Sequence, residues 1–227
     1  MKTPTGAALP LRSSDLGAHP PAHPRDAADP TLADLWGPTP GVDEAARLST
    51  EHTLRACVAL RPRPEGGAGL FARRAIAAGT SLVHRWHDDY CRGMSGWSVY
   101  TVAAIDALPE AHRALVHRYG LDEDFGAIWG PDEAAAVTTL DNFINHACAP
   151  NLGYDARGDV VTLRDLGPGE ELTIDYGGFV VNYDEPFVCA CGAAACRRRV
   201  TRHDWRALAR RSASSVAPFV RRRLASG

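Results

Sequence analysis

Three cysteines, Cys189, Cys191 and Cys196, fall within the eight residues "CACGAAAC". No other feature constrains this chain as much, because three thiolates so close together can converge on one ion. Tetrahedral zinc then wants a fourth ligand, and Cys57, Cys91 and Cys148 are the candidates. The plain alternative is a set of incidental buried thiols. Four thiolates would close a structural site of the kind that contributes roughly 10 to 16 kcal/mol to folding. Zinc would then hold the tail onto the body. Disulfides are not expected: the opening "MKTPTGAALPLRSSD" lacks the apolar core of a signal peptide, and a reducing cytosol keeps thiols free. A cytoplasmic protein is the expectation.

The length of 227 residues suits one good-sized domain with an appendage or two. No run approaches the roughly 20 apolar residues that cross a bilayer. From Cys189 onward there are ten arginines and one acid, a net +9, which leaves −11 on the rest of a chain whose total is −2. A basic tail on an acidic body can dock an acidic partner or the body itself. Without interleaved aromatics it is as readily a solvated helix face, and nucleic-acid binding is disfavoured.

Residues 1–50 read as a Pro/Ala-rich extension, largely flexible: eight of the 16 prolines lie before Gly41, and too little apolar surface is available to offset ordering entropy. The body begins with "LRACVAL", read as an edge strand because "RPRP" follows it. "TSLVHRW" reads as another strand. From about Ser95 to Arg118 the pattern turns helical. Leu108, Ala111, Leu115 and Tyr119 recur at helical spacing, with Pro109 fit for a first turn and Gly120 for the position after the last. "DVVTLRD" and "ELTIDY" read as short strands joined by a Gly-Pro-Gly turn, a hairpin-like signal. Thr201 to Leu224 reads as helix with a break at Pro218.

"GGAGLFA" is a glycine turn that lets a ligand approach the backbone. It matches the dinucleotide fingerprint literally, but Pro62 and Pro64 occupy the place of a buried parallel strand, and Gly79 leaves no room for the following helix. A simple turn is the plain reading. Tyr176 at the end of "ELTIDYG" and His146 in "NFINHACAPN" are each ordinary when taken alone.

Taken in order, "GGAGLFARRAIAAG", "NFINHACAPN", "EELTIDYG" and "CACGAAACRRRV" resemble the SET-domain protein lysine methyltransferases, in particular the compact bacterial type with a post-SET zinc segment. The resemblance implies a mainly β fold with α insertions, the SET β-clip of short curved sheets with a pseudoknot, followed by a zinc segment and a helix. Its expected boundaries are a SET domain over 51–183 with a helical insertion at about 90–135, a post-SET segment over 184–205, and a basic helix or tail over 206–227.

The resemblance also implies roles. Cys148 joins Cys189, Cys191 and Cys196 on zinc. The methyl donor S-adenosylmethionine would meet Gly67, Ala68, Gly69 and Leu70 through the backbone, together with Asn145, His146 and Tyr176, with cover from Phe187, Val200 and Trp205. Tyr176 would be catalytic, orienting amine and methyl rather than acting as a strong base. Trp86, Asp88 and Ile174 would line the substrate channel. Departures from the family pattern are Asn142 for a common arginine, Ala147 for serine, the wall "VHRWHDD" for E-Y-x-G, and Arg198 where glycine commonly follows Cys-Arg. The implied partner is a protein or peptide lysine, with a small amine as a second acceptor class. A non-catalytic, zinc-held interaction module is the alternative of another kind.

Overall fold

The computed structural model describes residues 53–64, 66–84, 96–137, 139–183 and 187–226. The expected N-terminal extension, Cys91 and the wall residues Trp86 and Asp88 lie outside them. Among the described residues the strands are two to five residues long. Frequent glycine and proline cut the β-branched runs short, so no long sheet forms.

The chain enters through a helical turn at 53–57, where an edge strand was expected. Leu54 and Cys57, three apart, are 0% and 4% exposed, and burying both on one face is what a turn of helix permits and a strand does not. Strand β1 (Val58–Pro62) follows and pairs antiparallel with β2 (Ala68–Ala72). Pro62 sits at its end, where a missing N–H is tolerated.

Strand β3 (Ser81–Val83) joins a three-stranded sheet in the order β3, β9 (Val160–Thr162), β8 (Leu152–Tyr154). A second three-stranded sheet contains β4 (Trp97–Tyr100), β5 (Leu121–Asp124) and β6 (Ala127–Pro131), with β6 central. Two helices, α1 (Val102–Asp106) and α2 (Glu110–Tyr119), lie between β4 and β5. The helical insertion expected at about 90–135 is mixed instead: α1 and α2 are flanked by the strands β4, β5 and β6. Trp97 and Trp129 pack diagonally across β4 and β6 with ring centroids 4.4 Å apart, a cross-strand contact that local periodicity does not reveal. Pro109 and Gly120 do bracket α2 as its caps.

"DVVTLRD" and "ELTIDY" do not form a hairpin with each other. β9 is the centre of its sheet, whereas β10 (Thr173–Ile174) runs parallel to β7 (Asn145–His146). Between them the chain is held by isolated bridges, Ile76 to Leu166 and Phe71 to Glu171. The core decides this: Leu70, Leu82 and Leu172 are 0% exposed and Leu152 and Leu166 1%, and each such side chain contributes about 2 kcal/mol on burial.

The β7–β10 pairing makes "NFINHACAPN" cross beside "ELTIDY". Asn151 secures it. Its Nδ2 donates to the carbonyl of Glu171 at 2.7 Å and its Oδ1 accepts from the Thr173 N–H at 2.8 Å. Asn142 is spent locally, donating to Thr139.

A short hairpin of β11 (Phe187–Val188) and β12 (Arg199–Val200) carries the cysteines. The tail then forms α3 (Trp205–Arg211) and α4 (Pro218–Ala225). The break precedes Pro218, which sits in the first turn of α4, as its fixed φ favours. Val216, Phe219 and Val220 of this tail pack with Trp205, Leu208 and Val181 in a core of their own.

Candidate active site

One side of the site is the glycine turn. Gly66 and Gly67 have φ of +94° and +79°, a region that glycine enters without a Cβ penalty. Gly69 is required for space instead. A Cβ there would lie 2.4 Å from Glu171 Oε1 and 2.8 Å from Asn145 Nδ2.

Asn145 donates through Nδ2 to the Ala68 carbonyl and to Glu171 Oε1, both at 2.9 Å. Both partners are acceptors, so the amide orientation is settled by chemistry and Oδ1 is left as its acceptor. Arg63 Nε lies 2.8 Å from the same Glu171 oxygen. Glu171 and Arg63 were not singled out in the sequence; the acidic pair in "GPGEEL" was the only signal. Leu70 is fully buried, and its carbonyl accepts from Leu172 at 2.8 Å. Its side chain anchors the turn in the main core.

The other side is the crossing itself. Tyr176 begins a 3-10 turn, Tyr176–Gly178, and its hydroxyl donates to the Ile144 carbonyl at 2.6 Å. Burial pushes the phenol up to about 12, so the hydroxyl keeps its proton at neutral pH. His146 is consumed structurally. Its Nδ1 accepts the Tyr176 N–H at 3.1 Å, and its Nε2 lies 3.4 Å from Cys148 Sγ. Burial lowers the imidazole to about 4, so the ring is neutral with its proton on Nε2.

Phe187 lies edge-on to both His146 and Tyr176 with centroids 5.1 and 5.9 Å away. Val200 faces elsewhere. It is 2% exposed among Cys148 and Cys189, because the β11–β12 pairing turns it toward the cysteines. Ile174 is 7% exposed and belongs to the main core, and Trp205 packs with Phe125 and the tail core. Each is an apolar residue taken by the nearest core.

The four cysteines meet. Their Sγ atoms all lie within 4.8 Å of one another, with Cys148 to Cys189 at 3.8 Å and Cys196 to Cys189 at 3.7 Å. Thiolates at about 2.3 Å from a tetrahedral zinc are about 3.8 Å apart, so the donor set fits that ion. Main-chain N–H groups of Cys148, Arg197 and Arg198 each point at a Sγ at 3.4 Å, those of Cys191, Cys148 and Cys196 in turn, donors suited to thiolate charge. Arg198 has φ of +62°, the left-handed conformation that a glycine would occupy freely. Cys57 is buried away from the cluster, in the main core.

Residues 67–177 match the family model described as SET domain. The match starts in the glycine turn and ends just after Tyr176, so this stretch of the chain is a SET domain. Its relatives are histone-lysine N-methyltransferases. It is 27% identical over 139 residues to trr of Drosophila melanogaster, covering 58% of this chain and 5% of that protein. It is 35% identical over 72 residues to ASHH2 of Arabidopsis thaliana, covering 29% and 4%, and 28% identical over 141 residues to 2B of Homo sapiens, covering 58% and 5%. The chain thus spans about 5% of the length of the curated relatives it matches. Among solved structures it resembles KRYPTONITE in complex with mCHG DNA and SAH, at 22% identity and a TM-score of 0.41 over 63% of this chain and 28% of that one. That likeness is too loose to bear on the site. Among the described residues no helix is long and apolar enough to cross a membrane.

Proposed function

We propose that this chain is an S-adenosylmethionine-dependent methyltransferase acting on a lysine side chain of a protein or peptide. The observation that carries the reading is the Tyr176 hydroxyl, fixed on the Ile144 carbonyl at the crossing. Asn145, the residue after Ile144, is hydrogen-bonded through Nδ2 to the Ala68 carbonyl of the glycine turn. The names of the relatives, histone-lysine N-methyltransferases, support the substrate class.

S-adenosylmethionine supplies, when bound, an electrophilic methyl group on a sulfonium. The chain's own residues have three tasks. Gly67, Ala68 and Gly69 bring main chain close to the donor, and Asn145 Oδ1 offers an acceptor suited to its amino group. Tyr176 orients the amine: its proton is given to Ile144, so its oxygen remains an acceptor for the incoming N–H. With a phenol held at about 12, proton abstraction by Tyr176 is not the source of rate; positioning and electrostatics are. The free lysine value of about 10.4 must fall, which an apolar channel and a neighbouring positive charge both achieve. Phe187 excludes water from one side.

The four cysteines would hold a structural zinc, closed and without a coordination position for substrate. Its place in the reaction is to fix the hairpin that carries Phe187. Free thiols in this arrangement fit a reducing, cytoplasmic setting.

The test uses the full chain with labelled S-adenosylmethionine and cell extract, beside calorimetric titration with S-adenosylhomocysteine. One-to-one binding and label on a protein band, lost in Tyr176→Phe, are expected. Label confined to small molecules would move the acceptor to a small amine. Neither binding nor transfer would sink the enzyme reading in favour of an interaction module.

A further inference from the structure

Arg197 belongs neither to the cysteine cluster nor to the transfer site, yet it is bonded to both. It directly follows Cys196, and its main-chain N–H points at Cys148 Sγ at 3.4 Å. Its guanidinium donates through Nη2 to Oδ1 of Asp175, the residue before Tyr176. Nε of the same group lies 3.1 Å from Asp204 Oδ2. The other Asp204 oxygen accepts from Thr201 Oγ1 at 2.6 Å, so Asp204 is itself held at the start of α3. Asp175 is 4% exposed, and its Oδ1 also accepts the Gly177 N–H at 3.0 Å.

A second observation concerns Gly177. A Cβ there would lie 2.8 Å from Asp204 Cβ and 3.2 Å from both Arg197 Nη2 and Asp175 Oδ1. The missing side chain is the space through which the guanidinium and Asp204 reach the strand end. The planar fork reaches two carboxylates at once, which the single ammonium of lysine does not reproduce.

From these contacts we infer that Arg197 is a positioning residue that links the cysteine cluster to Tyr176. Gathering the four thiolates on an ion fixes the 196–198 turn. The turn fixes the guanidinium, and the guanidinium holds Asp175 and with it the backbone from which Tyr176 projects. Only the catalytic arm of the inference rests on the proposed methyl transfer.

The experiment compares the full chain with Arg197→Ala and Arg197→Lys, each zinc-loaded and chelator-stripped. Amide hydrogen exchange is read at residues 176–178, zinc content by elemental analysis, and transfer by kcat and KM. Alanine keeps the main-chain N–H, so zinc content should stay at the native level. Exchange at 176–178 should rise about tenfold or more. Stripping zinc should raise it similarly in the native chain and add little in Arg197→Ala, because both act through one link. On the transfer reaction kcat should fall about tenfold or more with KM for S-adenosylmethionine within about threefold, and Arg197→Lys should recover part of kcat. Unchanged exchange in Arg197→Ala, or effects of zinc loss and substitution that multiply independently, would overturn the inference. So would zinc content and kcat falling in proportion. If the native chain neither binds S-adenosylhomocysteine nor transfers methyl, the functional reading fails while the exchange data still decide the link. Should Arg197→Ala not fold, Arg197→Gln is judged by the same criteria.

Discussion

The hydroxyl of Tyr176 donates to the carbonyl of Ile144 at 2.6 Å, joining residues 32 apart in sequence. The bond crosses from the strand that ends in Tyr176 to the segment that carries Asn145 and His146. It makes the tyrosine part of the fold and of the site at once, and the two roles are separable by substitution.

Tyr176→Phe removes the hydroxyl and leaves the ring against Phe179 and Phe187. One buried hydrogen bond should cost about 1 kcal/mol of stability. Transfer should fall roughly 10²- to 10³-fold, the scale for loss of one preorganised polar group at a transition state. Retained S-adenosylhomocysteine binding by calorimetry, with lost turnover, is the expected pair of results. Equal loss of both would place Tyr176 in binding instead.

Gly69→Ala should act at the cofactor side. The added methyl would meet Glu171 Oε1 and Asn145 Nδ2 at 2.4 and 2.8 Å, and these atoms are bonded to each other at 2.9 Å. Relief requires breaking that contact. A loss of about 1 to 3 kcal/mol is expected for overpacking, together with weaker S-adenosylhomocysteine binding in a titration. Native affinity would show that the Asn145 amide has no part in the pocket.

Arg198→Gly should stabilise the chain. A non-glycine residue at φ of +62° carries a steric cost of about 1 to 2 kcal/mol, while glycine's extra freedom when unfolded returns about 0.5 to 1 kcal/mol of it. The expected gain is up to about 1 kcal/mol, read as a shifted denaturant midpoint at constant slope. The N–H that meets Cys196 Sγ at 3.4 Å is kept, so zinc content should not change.

Asp122 gives a pH dependence far from the cysteines. It is 8% exposed and accepts from the main-chain N–H groups of Val181 and Asn182. Burial raises its carboxyl from the ordinary 3.8 to about 6. The folded state therefore binds the proton more tightly than the unfolded one. The contribution is fully present below pH 3.8 and is lost as pH rises through about 6, a change on the order of 2 to 3 kcal/mol. Asp122→Asn keeps an acceptor oxygen without the charge, so unfolding measured from pH 4 to pH 7 should lose this slope and be more stable at the upper end. An unchanged slope would show that Asp122 ionises freely.

By itself the sequence determined the pieces whose chemistry is local. The three cysteines in eight residues define a metal-ligand run, Pro109 and Gly120 delimit one helix, and the glycine turn and Tyr176 belong to an ordered set of motifs that resembles the SET domain matched by residues 67–177. Arg198 was visible as a departure, and its left-handed backbone explains why a glycine suits that position. Tertiary structure decided what depends on partners distant along the chain. Strands this short have no intrinsic pairing preference, so β9 and β10 join different sheets according to which apolar faces meet the core. Trp97 lies in a strand because Trp129 packs against it. Val200 and Ile174 were drawn into buried clusters, since an apolar side chain gains more from a core than from a pocket wall. The Glu171–Asn145, Arg197–Asp175 and Arg197–Asp204 contacts are ion pairs and hydrogen bonds between residues 26, 22 and 7 positions apart. Their charges are written in the sequence, but only the β7–β10 crossing and the gathered cysteines bring them within reach of each other.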